Sequence, residues 1–520
     1  MVSKNKSVIR FISGIALVAI YIVFSFGAIY SPTTQSNYLI FSLFLFNYLV
    51  SVILSIYILN SKRYESFKSL WILWIIVTPI LGQIFFIFFG VSGIQRRSLI
   101  EYRADAAEFL EHENYKDSTE LKTNMGENFP LVFDYLREAC GRPIYKGNNV
   151  QLLLKPQDIL AKILATIEKA ENFIHLQYYI IEPGYVWDAI VEALERKVVQ
   201  GVEVRIIVDY LGSFFTLKKK DLLDIRRRGI QIYYFNGFSH WKNLSILNFR
   251  CHKKILIVDN KYSVYGSTNL SDSYFGISGK IFPLNDYCYY IEGKIVNSFN
   301  LLFAYDWKYH CDNLISQDDL IKNPEKYFKI HQTADPTNTI MQFAESSPDI
   351  NEKIFVNNLN QLILRSKKSI EIATPYFYPS IGIINALKIA ADSGVKIRLI
   401  LPRQPDYVFP VLTMNRFFYQ TLLESGVEIY EYFGFNHEKI MVVDDELIYT
   451  GTYNWDFRSL FLNYESVLLI YSKKMAQNHL DAFCFRLSKS ERVSFENRHI
   501  WNSWKQKFGA FWIRLFFPLI

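Results

Sequence analysis

Neither a disulfide framework nor a metal cluster has much material in this sequence. Its 520 residues include five cysteines, Cys140, Cys251, Cys288, Cys311 and Cys484. They are odd in number, scattered, and without the spacing of metal-ligand pairs, which fits a reducing compartment and gives them no visible chemistry. A strong charge of either sign is also missing. Lys and Arg number 57 against 50 Asp and Glu, a net +7. That mild basic excess suits an anionic partner but does not choose between nucleic acid and an anionic membrane. Aromatic residues, by contrast, are plentiful, with 42 Phe and 35 Tyr. Such a content fits a protein that meets lipid at several places, or one with a large core, and the length allows two or three domains.

Charge is scarcest near the N-terminus, where three apolar runs follow one another: Phe11 to Tyr30, Tyr38 to Leu59 and Leu70 to Gly90. Each is near the roughly 20 residues that cross hydrocarbon as a helix. The first lacks a clear small-residue cleavage site and is followed at once by another apolar run, so it does not read as a signal peptide. Lys4, Lys6 and Arg10 precede the first run and Lys62, Arg63 and Lys68 follow the second, which predicts a two-span hairpin with both ends inside. Arg96, Arg97 and Arg103 follow the third run, and Pro79 and Gly82 interrupt it, so it reads either as a third span or as a re-entrant segment.

From about Gln151 the chain alternates strand-like and helix-like segments, twice over. NFIHLQYYI (172–180), GVEVRIIVD (201–209) and GIQIYYFNGF (229–238) are matched by SIEIATPYFYP (369–379), GVKIRLILP (394–402) and GVEIYEYFGF (426–435). This predicts a duplicated α/β unit whose apolar strands are buried between helical layers. A more polar stretch from about Asn313 to Asn338, with Pro324 and Pro336, separates the copies.

Each copy ends in the same constellation. RCHKKILIVDNKYSVYGSTN supplies His252, Lys254, Asp259, Ser267 and Asn269; NHEKIMVVDDELIYTGTYN supplies His437, Lys439, Asp444, Thr452 and Asn454. Residues i and i+2 of a strand share a face, so each His and Lys project together. One such pair alone would read as a solvated strand edge. Two pairs converging on one cleft suit attack on a phosphodiester: one imidazole attacks phosphorus, the other protonates the leaving alkoxide, and Lys254, Lys439, Asn269 and Asn454 hold the phosphate oxygens. The lysines take the electrostatic role of a metal, so no metal or other cofactor is expected. Asp259 and Asp444 lie an odd number of residues from their histidines and on a regular strand point away, which assigns them to the following turn more than to chemistry. The Gly-Ser and Gly-Thr stretches are too short for a phosphate loop, and His175, His310 and His499 read as structural.

The paired His-x-Lys-x4-Asp motifs resemble the phospholipase D superfamily, and within it the bacterial cardiolipin synthases. NHEKIMVVDDELIYTGTYNWDFRSLFLNYE (436–465) is similar to that family's long signature, including Asp456, Arg458, Ser459, Asn463 and Glu465. TPYFYP, GVKIRLILP, the Trp-rich third apolar run and the final RLFFPLI are similar to family segments as well. The resemblance implies two pseudo-symmetric α/β repeats with mixed sheets flanked by helices, behind a helical membrane region. It divides the chain into a membrane region (1–100), a linker (101–150), a first repeat (151–312), a linker (313–340), a second repeat (341–490) and a C-terminal amphipathic segment (491–520).

It also implies transfer of a phosphatidyl group between two phosphatidylglycerol molecules to give cardiolipin and glycerol. His252 would be the nucleophile and His437 the acid and base, an assignment the near-symmetry of the motifs leaves open. Lys254 and Lys439, with Asp259 and Asp444, complete the implied catalytic set. Aligned strands place Asp286 opposite Glu465 as histidine-orienting carboxylates. The implied setting is multi-pass in a bacterial cell membrane, with phosphatidylglycerol and membrane lipid as partners and no nucleic acid. Where many relatives have His-Arg-Lys and Gly-Gly, the first motif has HKK and GST, and Asn285 stands where a basic residue is expected. A lipase, a nuclease or transfer to another alcohol is the alternative activity, and a scaffold without catalysis the alternative class.

Overall fold

The computed structural model describes residues 34–61, 65–86, 90, 125, 129–237, 248–278, 284–311, 320–331, 339–348, 354–406 and 408–516. The chain divides into two compact units, one holding the N-terminal apolar segments and the other both repeats.

In the first unit, helix α1 (Thr34–Leu59) contains Phe41–Leu59, the one stretch among the described residues long and apolar enough to cross a bilayer. The third apolar run is not one helix. It breaks at Thr78 into α2 (Glu65–Val77) and α3 (Pro79–Phe85). A straight helix would separate Trp71 from Phe86 by about 22 Å, yet their rings are 5.3 Å apart, so the chain turns back on itself. Pro79 lacks the N–H a continuous helix needs, and Gly82 allows the close return: a Cβ there would lie 2.4 Å from the Trp74 carbonyl. Gln83 then donates to Asn47 Oδ1 (2.8 Å) and Ser51 Oγ (2.9 Å) of α1. The first apolar run, and the basic residues at 4, 6, 10, 96, 97 and 103, lie outside the described residues.

The second unit begins with α4 (Pro130–Cys140) and β1 (Ile144–Lys146). The first repeat follows as β2 (Asn149–Leu153), α5 (Pro156–Glu168), β3 (Phe173–Tyr178), α6 (Tyr185–Val199), β4 (Glu203–Asp209), α7 (Lys219–Arg227), β5 (Gln231–Phe235), β6 (Lys254–Val258), β7 (Tyr262–Gly266), β8 (Leu284–Asn285), β9 (Cys288–Glu292) and α8 (Val296–His310). Its sheet runs β2-β9-β7-β6-β3-β4-β5, with β3, β4 and β5 parallel and β6 antiparallel to β3. Every side chain of β3 and β6 is buried, as a sheet covered on both faces requires.

The second repeat has β10 (Ile340–Ser346), α9 (Ile354–Arg365), β11 (Ser369–Ala373), β12 (Phe377–Tyr378), α10 (Ile381–Asp392), β13 (Lys396–Pro402), β14 (Glu428–Tyr432), β15 (Phe435–Asn436), β16 (Ile440–Val443), β17 (Leu447–Gly451), β18 (Trp455–Asp456), β19 (Glu465–Tyr471), α11 (Lys473–Leu487) and β20 (Ser490–Val493). Its sheet, β1-β10-β19-β17-β16-β11-β13-β14-β20, repeats the first with an added strand at each edge. Both repeats are mixed α/β, as the alternating pattern predicts.

The described parts of both expected linkers pack on the repeats. Residues 129–146 dock on the second repeat: β1 pairs antiparallel with β10, Gln342 donates to the Phe133 and Arg142 carbonyls, and Arg142 forms a buried ion pair with Glu345 at 2.6 Å. Residues 320–329 pack on the first, where Asn300 donates to the Tyr327 carbonyl (2.7 Å) and Asn260 to that of Lys329 (3.1 Å). The final helix α12 (Trp504–Phe516) exposes Trp504, Phe508, Phe511 and Trp512, which no core helix would do.

Candidate active site

His252 and His437 precede β6 and β16, at the ends where the parallel strands β3 and β11 finish: Tyr178 pairs with Lys254 and Ala373 with Ile440. Ligand sites in α/β sheets collect at those carboxyl ends. Strand alternation turns His and Lys to one side. Lys254 Nζ donates to the His252 carbonyl at 2.5 Å and Lys439 Nζ to that of His437 at 2.7 Å. The residue between them faces the core, where Lys253 pairs with Asp306 at 2.6 Å and Glu438 with Arg486 at 2.7 Å. The two buried pairs occupy equivalent places with their signs exchanged.

Each histidine is completed by the other repeat. His252 N donates to the Tyr464 carbonyl (3.0 Å), while Nδ1 lies 3.0 Å from Glu465 Oε1 and 2.8 Å from the Thr452 carbonyl. His437 N donates to the Asn285 carbonyl (2.8 Å), and its Nδ1 is 2.8 Å from Asp286 Oδ2. Thus the residue ahead of each carboxylate pins the backbone of the histidine that the carboxylate orients. Asn285, which replaces an expected basic residue, does this with its carbonyl.

The carboxylates are themselves held by hydroxyls whose part the sequence reading missed. Thr452 Oγ1 donates to Glu465 Oε2 at 2.6 Å, and Ser267 Oγ donates to Asp286. The preceding glycines make that reach possible. A Cβ on Gly266 would lie 2.5 Å from the Tyr287 carbonyl, and one on Gly451 2.2 Å from that of Ser466. The Gly-Ser and Gly-Thr dipeptides therefore position acids rather than phosphate. The signal that could have found them was a hydroxyl recurring at one register in both copies. Tyr179 and Tyr274, also missed, sit edge-on to His252 and His437 with ring centroids 4.9 and 5.0 Å away.

Asp259 and Asp444, named with the catalytic set, are corrected by their position. Each follows the end of its strand, roughly 17 Å from the lysine at the start of β6 in the first copy. Nor is the following turn their main contact. Asp259 accepts from the backbone N–H groups of Glu171, Asn172 and Phe173 (2.7–2.9 Å), and Asp444 from those of Lys367, Lys368 and Ser369. They fasten the entrance of the neighbouring central strand. Both have positive φ (51° and 53°), which aspartate tolerates better than most residues. Asp444→Ala is expected to cost about 2–3 kcal/mol by stranding those donors, and to lower the melting temperature by roughly 5 °C. Turnover per folded molecule stays within about threefold, the mark of a scaffold residue. Thermal denaturation and initial rates on one preparation check this, and a collapse of turnover in folded protein would return Asp444 to the chemistry.

The amides expected at the phosphate have partners within the protein. Asn269 Oδ1 accepts from Ile180 N (3.3 Å) and its side chain bonds Tyr274, while the Asn454 side chain bonds Asp456. Asn454 Oδ1 is buried without a partner among the described residues. His175 is structural, stacked on Phe303 at 4.3 Å and bonded to Asn300.

Burial sets the charge state. It pushes His252 down to about 4 against the pull of Glu465, and, helped by Lys439, pushes His437 down to about 3. Burial and the Lys439 charge bring Lys254 down to about 7, and burial brings Lys439 to about 8. Burial works against the ionised forms of Asp286 and Glu465 too, but their histidines and the lysines outweigh it and hold both carboxyls below the usual range. At neutral pH the site holds neutral imidazoles, carboxylates, and lysines close to their titration points.

A pH profile follows. kcat/KM reports the free enzyme, so it should rise as His252 loses its proton near 4, decline as the proton that His437 must donate becomes scarcer, and fall more steeply as Lys254 loses its own near 7. Lys254→Arg, which stays charged, should carry the falling limb toward 8, where Lys439 titrates. Rates on a soluble diester between these limits check it; a profile flat through the lysine range would contradict it.

A family model described as "Cardiolipin synthase, PLD-like domain" matches residues 163–282 and 359–484. A cardiolipin synthase of Clostridium perfringens is 32% identical over 457 residues, 86% of this chain and 93% of that protein. One from Halalkalibacterium halodurans is 30% identical, covering 86% and 87%, and a probable cardiolipin synthase of Bacillus subtilis is 30% identical, covering 89% and 91%. Among solved structures, a phosphatidylserine synthase of Haemophilus influenzae aligns over 75% of this chain and 100% of its own, with a TM-score of 0.55 and 14% identity, a likeness of fold.

Proposed function

The chain belongs to the cardiolipin synthase family of phospholipase D-like enzymes, and from that premise we propose that it joins two phosphatidylglycerol molecules through a covalent bond to His252. It is a phosphatidyltransferase and acts on phospholipid at a membrane.

The observation that carries the assignment of roles is a difference between two nearly symmetric histidines. The Thr452 carbonyl can only accept, so the proton of neutral His252 sits on Nδ1, shared with Glu465. Its Nε2 keeps the lone pair, and no described residue hydrogen-bonds to it. His437 is held through Nδ1 by Asp286, but its Nε2 lies 3.1 Å from Lys439 Nζ, a proton donor. One ring is arranged to attack and the other to exchange a proton.

In the first step His252 Nε2 bonds to phosphorus, the P–O bond to glycerol breaks, and protonated His437 gives that oxygen its proton. The anionic diester favours the imidazolium that burial and the Lys439 charge disfavour. In the second, His437 takes the proton from a hydroxyl of another phosphatidylglycerol, whose oxygen attacks phosphorus and breaks the P–N bond. Lys254 and Lys439, with Asn269 and Asn454, hold the non-bridging oxygens through both steps. Asp286 and Glu465 keep each imidazole in the required tautomer.

The fold of the third apolar run favours a re-entrant hairpin beside α1, because Gln83 reaches Asn47 and Ser51 in the middle of that helix. A multi-pass arrangement in a bacterial cell membrane then rests on the first run pairing with α1 as a second span.

Purified full-length protein given phosphatidylglycerol labelled in its free glycerol should release labelled glycerol and form cardiolipin, about one of each per turnover. Phosphatidic acid without cardiolipin would assign a lipase. An unchanged product pattern in His252→Ala and His437→Ala would assign a scaffold.

A further inference from the structure

The loop after β4 carries exposed apolar side chains. Tyr210 to Leu217 is fixed at its base to the support of His252. Asp209, at the end of β4, accepts from Gly212 N through Oδ1 (2.8 Å) and from Cys251 N, next to His252, through Oδ2 (2.8 Å). Ser213 Oγ donates to the Tyr179 carbonyl (3.1 Å) and accepts from Ile181 N (2.9 Å). Gly212 lies so close that a Cβ would be 2.4 Å from the Tyr179 carbonyl. Tyr179 is the ring set against His252.

From this rigid base three apolar side chains project into solvent. Leu211 is 41% exposed, Phe214 46% and Phe215 87%. Phe214 and Phe215 pack edge to face with centroids 5.1 Å apart, so they form one patch. Directly after them come Lys218, Lys219 and Lys220, all exposed. The equivalent position after β13 reads Arg403-Gln404-Pro405-Asp406, where Arg403 pairs with Glu491 and Asp406 accepts from Tyr376.

We propose that Leu211, Phe214 and Phe215, with Lys218 to Lys220, form a lip that dips into an anionic phospholipid bilayer and presents the lipid phosphodiester to His252. Exposed aromatics beside a cluster of ammonium groups match the acyl boundary and the negative surface of such a bilayer. The lip stands beside the group that keeps the diacylglycerol part through the covalent stage, while glycerol leaves opposite the attacking nitrogen. The inference rests on the phosphatidyltransfer reading.

The test uses the full chain reconstituted in phosphatidylcholine vesicles containing increasing mole fractions of phosphatidylglycerol, alongside monomeric dihexanoyl phosphatidylglycerol. Phe214→Ser/Phe215→Ser should raise the half-saturating mole fraction at least about fivefold and leave kcat/KM on the monomeric lipid within about twofold. A second variant, Lys218→Gln/Lys219→Gln/Lys220→Gln, should raise the same mole fraction in low salt and lose that difference in about 0.5 M salt. Equal losses on vesicles and monomers, or no loss on vesicles, overturn the lip. If the unmodified enzyme releases phosphatidic acid instead of cardiolipin, the transfer reading fails, and the lip stands or falls on phosphatidic acid release by the same variants.

Discussion

Replacing His437 by alanine should lower cardiolipin formation by about four orders of magnitude, at the upper end of what a general acid and base contributes, yet leave the enzyme able to react once with an activated ester. Phosphatidyl p-nitrophenol has a leaving group that needs no proton. In His437→Ala it should therefore release a burst of p-nitrophenol equal to the enzyme present and then stall, because no base activates the acceptor. In His252→Ala the bond-forming nitrogen is gone, and both the burst and the overall reaction should fall to background. A burst that survives in His252→Ala and vanishes in His437→Ala would exchange the two roles. The near-identity of the motifs makes this a real alternative, since only the Thr452 carbonyl at one Nδ1 and the Lys439 ammonium at the other Nε2 separate them.

The crossed carboxylates make the second large effect diagnostic. Asp286→Asn should cost about 10³-fold in overall turnover and Glu465→Gln about 10²-fold, both less than the roughly 10⁴-fold loss that follows when the acid behind a serine protease's catalytic imidazole is neutralised. The difference has a structural cause: His252 keeps the Thr452 carbonyl as an acceptor for Nδ1–H, whereas Asp286 is the carboxylate bonded to the His437 ring. Asp286→Asn should behave as a weakened His437→Ala, with its burst from the p-nitrophenyl ester intact. Glu465→Gln should slow the burst itself. Asp286 belongs to the first repeat and His437 to the second, so a carboxylate serving its own repeat's histidine would give the reverse pattern.

Much of this site is readable from the chain because strand alternation is a local rule. His-x-Lys places both groups on one face and sends Lys253 and Glu438 to the other, and the odd offset turns Asp259 and Asp444 away. The duplication itself announces two half-sites. What local rules do not contain is which half completes which. That depends on short contacts between distant segments: Tyr464 with Arg250 and His252, and β8 with β15. The docking of α4 and β1 on the second repeat escapes for the same reason, since a three-residue strand has no periodicity and its partner lies about 200 positions away. Pro79 and Gly82 did mark the break in the third apolar run. The direction of the fold after that break came from Trp71 meeting Phe86 and Gln83 meeting Asn47.

The central claim is that one named nitrogen bonds to phosphorus at a site assembled from both repeats. His437→Ala incubated with phosphatidyl p-nitrophenol, quenched in alkali where a phosphoramidate survives, digested, and sequenced by tandem mass spectrometry addresses it directly. The phosphatidyl group should be found on the peptide containing His252, at one per chain, and nowhere in His252→Ala. Recovery of the group on any other residue, or a full burst with no modified peptide, would contradict the account.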